Sequence, residues 1–208
     1  MRRESSTVVA LVGDVGDGLL AGLGKSPGVS VVRAGAGTRQ PDEPAGAEQR
    51  PAWEAGAVAL GEATRHQSMY VIVPDDPLAG VAAGWRAMWD MSAGPAGAAG
   101  FEQQAADALT AWRSKRFELP DYYLVVAPPQ ASTAGPDLYL GPLRSVRPRR
   151  VAVAGVARGP AQVPVLVDTL TSLQHGPWWP PLDELLDAAR GFYAGGLAET
   201  QPGPGLGG

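Results

Sequence analysis

The chain of 208 residues contains no cysteine, which excludes a disulfide framework, thiolate-ligated zinc, iron–sulfur clusters and thiol catalysis. No stretch approaches eighteen consecutive apolar residues, so no segment reads as a membrane-spanning helix. The opening MRRESS–TVVALVG is basic and then apolar, but it meets Gly13 and Asp14 too soon for a secretory signal. Positive charge is not in excess either. Seventeen Lys+Arg against 21 Asp+Glu leave a net charge of −4, without the basic footprint of a nucleic-acid binder. Lysine is scarce (Lys25 and Lys115), and Ile72 is the only isoleucine. With abundant Ala and Arg, that bias reads as the codon usage of a high-GC bacterial genome. The expectation is a cytoplasmic bacterial protein whose partners are neither nucleic acid nor membrane.

What is present supports a folded core. Apolar residues make up 45% and charged residues 18% of the chain, a balance that argues against wholesale disorder. A large share of the 28 glycines and 20 prolines falls in Ala34–Pro51, the spacer Ser92–Gly100, the loop Pro128–Pro136 and the tail Glu199–Gly208. Between them lie periodic apolar segments. Residues 1–198 are therefore expected to form one α/β domain with a flexible internal loop at 34–51, followed by a flexible tail at 199–208.

Five runs read as buried strands: Thr7–Val12, Val29–Arg33, Tyr70–Val73, Tyr122–Ala127 and Val151–Ala157. Their continuous apolar character, without alternation, means that both faces are covered, as when helices sandwich a parallel sheet. Helical periodicity marks Leu78–Met91, where Val81, Trp85, Met88 and Trp89 form one stripe, with Asp75 or Asp76 as its cap. It recurs in Phe101–Arg116, Gln162–Gln174 and Leu182–Tyr193. Weaker helical segments fall at Asp17–Gly24, Trp53–His66 and Leu138–Val146. Strands alternating with helices at this spacing predict a three-layer α/β/α sandwich around a mostly parallel five-stranded sheet, Rossmann-like or flavodoxin-like.

Ligands of such sheets bind beyond the carboxyl ends of the strands, so candidate chemistry is sought there. The turn after the first strand contains Gly13, Asp14, Gly16 and Gly18, and Gly16, Gly18 and Ala21 give a G-x-G-x-x-A spacing near the dinucleotide fingerprint. Its chemistry would be backbone N–H groups meeting a pyrophosphate at a helix start. Asp14 and Asp17 oppose that reading by placing negative charge at the phosphate position, and a tight structural turn competes with it. Arg33 stands where a ribose-binding acid is expected. The run Leu23–Ser26 is no P-loop, because Leu19 replaces the first glycine.

Asp14, Asp75 and Asp76 form a second set, able to hold Mg²⁺ through oxygen if the ends of strands one and three converge. The set resembles the acids of phosphoacceptor receiver domains, but no Lys follows strand five and Pro128 stands where Ser or Thr would end strand four. The structural alternative makes Asp75 and Asp76 helix caps. His66 and His175 sit at helix ends, where capping competes with catalysis. No G-x-S-x-G elbow occurs.

The pair Trp178–Trp179 lies in a proline-bounded turn and offers either a lid on the last helix or an exposed anchor for a protein partner. Two principal functions are therefore expected. The first is a non-catalytic module that binds another protein, or itself, or serves as a regulatory subunit. The second is a nucleotide- or phosphate-dependent enzyme using the turn at Gly13–Gly18 with Asp14 and Asp75 or Asp76. A third reading, an enzyme that lost its site, predicts a strand-end pocket filled by its own side chains.

Overall fold

A computed structural model describes residues 6–34, 51–90, 92, 94–127, 137–155 and 161–200. The expected loop at 34–51 falls outside the described residues over 35–50, as do 128–136, 156–160 and the tail 201–208. Five strands, β1 (Thr7–Gly13), β2 (Val29–Val31), β3 (Tyr70–Val73), β4 (Tyr122–Ala127) and β5 (Val151–Gly155), pair in parallel throughout. The helices are α1 (Asp17–Leu23), α2 (Ala52–Ala63), α3 (Ala79–Trp89), α4 (Gly94–Arg113), α5 (Arg144–Val146), α6 (Gln162–Thr171) and α7 (Leu182–Thr200). A π-helical turn at Tyr139–Leu143 leads into α5. This is the expected three-layer α/β architecture.

The strand order is β2-β3-β1-β4-β5. It matches neither the 3-2-1-4-5 nor the 2-1-3-4-5 arrangement of the familiar doubly wound sheets. β1 is central, so its side chains are covered from both sides: Val9 and Leu11 face one layer, Val8, Ala10 and Val12 the other. The layers are unequal. On one face α1 and α6 bury Leu19, Leu20, Leu23, Leu166 and Leu170 against the sheet. The other face carries α2, α3, α4, the π-turn and α7. The turn after β1 thus leaves toward the thin layer, while β3 and β4 feed the thick one.

Of the spacer expected at Ser92–Gly100, residues 94–100 are instead the first part of α4. Its small residues serve packing. A Cβ on Gly97 would lie 2.5 Å from the Ala87 carbonyl oxygen, and one on Gly84 would lie 2.7 Å from the Phe101 Cα. Glycine here lets α3 and α4 approach backbone to backbone, and that contact overrides its poor helix propensity. Trp85, fully buried, then sits edge-on to Phe101 (5.6 Å between ring centres) and to Tyr193 of α7 (6.1 Å), joining three helices.

Gly84→Ala is accordingly expected to destabilise the fold by roughly 1–3 kcal/mol through overpacking. Gly18→Ala, with nothing within 4 Å of the added methyl, should be neutral or stabilising by up to about 1 kcal/mol. Urea-unfolding midpoints of the two variants check the contrast.

Candidate functional site

The carboxyl-end rim begins at Gly13, whose φ is +108° and whose Cβ, if present, would collide with the Val126 carbonyl oxygen. Only glycine fits so close to β4. The Asp14 N–H donates to that same oxygen (3.3 Å), which stitches the end of β1 to β4. A Cβ added to Gly16 or Gly18 would meet nothing within 4 Å, and Ala21 is exposed. The close helix contact belongs to Gly22, against Val163 of α6. Arg33, the candidate for a 2′-phosphate, pairs with Asp17 at 2.6 Å. The helix is only seven residues long and has an acid in its first turn. Gly13 is thus a structural turn, and the glycine spacing lacks the packing that a dinucleotide fingerprint uses.

The three aspartates are not brought together. Asp75 accepts a hydrogen bond from the Ala34 N–H (2.7 Å), clipping the chain beyond β2 onto the end of β3. Asp76, its neighbour beyond the bend at Asp75, meets a different set of partners. Among the described residues no three His, Asp or Glu side chains converge to hold a metal ion. The Mg²⁺ arrangement expected for Asp14, Asp75 and Asp76 is therefore not assembled.

Asp76 is instead buried in the thick layer. One carboxylate oxygen accepts from the Tyr123 hydroxyl (3.1 Å) and from the Leu78 N–H (3.1 Å), and the other accepts from the Tyr139 hydroxyl (2.5 Å). The Leu78 contact is the capping turn at the entry to α3, as expected for Asp75 or Asp76. Burial pushes the Asp76 acid up to about 6, although the three donors pull it down. Burial and the adjacent carboxylate drive both tyrosines well above their ordinary range. With Asp76 only 5% exposed, its oxygens face protein donors rather than an open cleft.

At the opposite, amino-terminal end of the sheet the tryptophan pair splits. Trp179 is buried, donates its indole N–H to the Pro120 carbonyl (2.8 Å) and meets Tyr123 edge-on at 5.6 Å. It is the lid. Trp178 is 45% exposed and covers the Arg150 guanidinium at 4.8 Å. The same guanidinium lies 4.9 Å from the Tyr122 ring. Arg150 also donates to the carbonyls of Gly176 (2.8 Å), Pro177 (3.1 Å) and Asp121 (3.2 Å). Arg147 fixes the backbone by donating to the Trp178 carbonyl at 2.7 Å, and Arg149 reaches the His175 carbonyl at 3.4 Å.

Sequence reasoning missed these arginines. Their signal was four Arg within seven residues, Arg144–Arg150, immediately before β5. It also missed a cavity of about 920 Å³ at this same end, beside Arg65, His66, Lys115 and Arg116. His66 is exposed beyond the end of α2, and His175 is exposed in the segment between α6 and α7. No described helix is long and apolar enough to cross a membrane. No protein-family model, curated protein or solved structure matches the chain.

Asp76 carries a pH prediction. A raised acid binds its proton more tightly in the folded state, so the stability it contributes is complete below about pH 4 and is lost as pH rises through about 6. Asp76→Asn is neutral throughout and should flatten this dependence. The difference in unfolding free energy between native protein and variant, from urea titrations, should change by roughly 2–3 kcal/mol between pH 4 and pH 7.5. Parallel profiles would show that Asp76 does not titrate in this range.

Proposed function

We propose that this protein is a non-catalytic α/β module that binds an acidic segment of another protein through the surface around Trp178. The observation that carries the reading is the fixed, half-exposed indole of Trp178 stacked on Arg150, with Arg147 and Arg149 beside it. Trp and Arg are the residues that most often dominate binding energy at protein interfaces. Here the anchor is preorganised, because Arg150 is clamped by three carbonyls and two rings before any partner arrives.

Charge selects the partner. The arginines beside Trp178 would repel their own copies across a two-fold axis, which disfavours a symmetric dimer through this patch. An acidic segment with apolar side chains complements it. The rim supports the same reading from the other direction: Asp76 is enclosed by Tyr123 and Tyr139, Asp75 holds Ala34, and Asp17 holds Arg33. A site filled by its own side chains is also what an enzyme that lost its chemistry would leave.

A synthetic peptide alternating Glu or Asp with Leu is the probe. Titration followed by NMR should show binding that weakens with salt and falls about tenfold or more in Trp178→Ala, with the fold retained. Trp179→Ala should instead cost about 3–5 kcal/mol of stability. Undiminished peptide binding in Trp178→Ala, or none in the native protein, overturns the reading.

A further inference from the structure

A second feature of the amino-terminal end lies under β1 and β3, independent of the Trp178 surface. The cavity of about 920 Å³ runs between the last turn of α2 and the connection from α4 to β4. Its volume is that of a small-molecule site. Val8, Leu60 and Phe117 form an apolar floor, each with under a tenth of its surface exposed, and half-buried Ala57 lies beside them. Its polar lining includes Arg65, His66, Lys115 and Arg116, all on exposed residues.

We propose that this cavity binds a small monocarboxylate with a hydrocarbon body, the carboxylate meeting Lys115 and its neighbouring cations and the body lying along Phe117 and Leu60.

The electrostatics favour a negative charge. Arg65, Lys115 and Arg116 are the cavity's basic side chains. They are opposed by Glu118, which also lines the cavity, and by the partial negative ends of α2 and α4. Among the described lining residues three basic side chains stand against one acid, an excess of positive charge that suits an anionic headgroup.

The backbone at Lys115 is the second observation. The Arg116 N–H donates to the Ala111 carbonyl (3.0 Å) and the Lys115 N–H to the Trp112 carbonyl (2.9 Å), the paired bonds that end a helix in a Schellman motif. That motif needs a left-handed residue, and glycine is its usual occupant. Here Lys115 adopts φ 56°, the only non-glycine with positive φ among the described residues. In a chain of 28 glycines and two lysines, a lysine holds the place that glycine would fill with less strain. Capping alone does not call for that side chain. Retention of a strained residue at a cavity mouth fits a ligand contact. Arg116 is likewise held, its guanidinium 5.4 Å from the Trp53 ring, which itself stacks on Phe117.

Isothermal titration calorimetry with decanoate tests the proposal, with 1-decanol and inorganic phosphate as comparators. Decanoate should bind one to one, and both comparators at least tenfold more weakly, as expected when a charge-assisted contact and apolar burial are each required. Lys115→Gly should lose about tenfold in decanoate affinity while its urea midpoint stays level or rises. Gly61 lines the cavity and has nothing within 4 Å of an added Cβ, so Gly61→Phe should block binding without unfolding the protein. Decanoate that fails to bind at millimolar concentration, binds no tighter than decanol or phosphate, or is unaffected by either variant overturns the proposal. So does a Lys115→Gly protein less stable than the native one, because the lysine would then be structural.

Discussion

The carboxyl group of Asp76 is the contact on which the thick helical layer is assembled. It stands where β3 turns into α3, and it receives hydroxyls from β4 (Tyr123) and from the π-turn (Tyr139). Three segments far apart in sequence therefore meet at one group. Taking a carboxylate out of water is unfavourable, and hydrogen bonds from two phenols and one amide offset that cost only in part, which is why the acid is raised. Removing the carboxyl altogether would bury two hydroxyls without their partner, the more expensive error. The neighbourhood is built to this tolerance: a Cβ on Gly56 of α2 would collide with the Pro77 nitrogen. From Asp76 the contacts continue through Tyr123 to the edge of Trp179, and from its indole to Pro120. One chain of polar and aromatic contacts thus crosses the layer from one end of the sheet to the other.

A parallel sheet also sorts charge. Helix amino termini gather at the carboxyl ends of the strands and helix carboxyl termini at the other, so acids are favoured at the first end and bases at the second. The chain follows this rule in part, with Glu118 and Asp121 before β4 and Arg33 after β2 as exceptions. Asp14, Asp17, Asp75 and Asp137 lie near the carboxyl ends, while Lys25, Arg65, Lys115, Arg116, Arg147 and Arg149 lie in the segments that precede strands. A protein with a net charge of −4 thereby presents a cationic edge that its overall charge conceals. Composition alone argued against polyanionic partners, and it could not show this local reversal.

The strands were legible because an uninterrupted run rich in β-branched and apolar residues such as Thr7–Val12, too short for a helix and closed by glycine, fits little except a buried strand. The parallel sandwich followed from the alternation of such runs with helices. Strand order was not legible, since a run of valines carries no record of its neighbours. The glycine-rich start of α4 escaped because propensity treats Gly97 and Gly100 as breakers, while the packing of Gly84 and Gly97 between helices rewards them. Asp75 and Asp76 were placed on the right turn, but their different partners depend on which side of the chain the core lies. Trp178 and Trp179 divided for the same reason. Lys115 was invisible: nothing in a sequence marks a left-handed lysine.

In most doubly wound sheets the crevice where neighbouring strand connections diverge is the place for a ligand, and here that crevice lies above β1. Three features work against its use. The end of β1 is drawn onto the Val126 carbonyl through Gly13 and Asp14, the acids around it repel phosphate, and Asp75 and Asp76 are committed to holding the chain together. The opposite end has the reverse character, with guanidinium groups stacked on rings at Arg150 and Arg116 and apolar wall between them and the core. Stacking holds these cations in place without neutralising them, since an aromatic face does not pair with a guanidinium as a carboxylate would; Arg150 is buried and turned to backbone carbonyls, while Arg116 is exposed. The basic side chains of this structure are therefore gathered more at the edge where the strands begin than at the rim where they end.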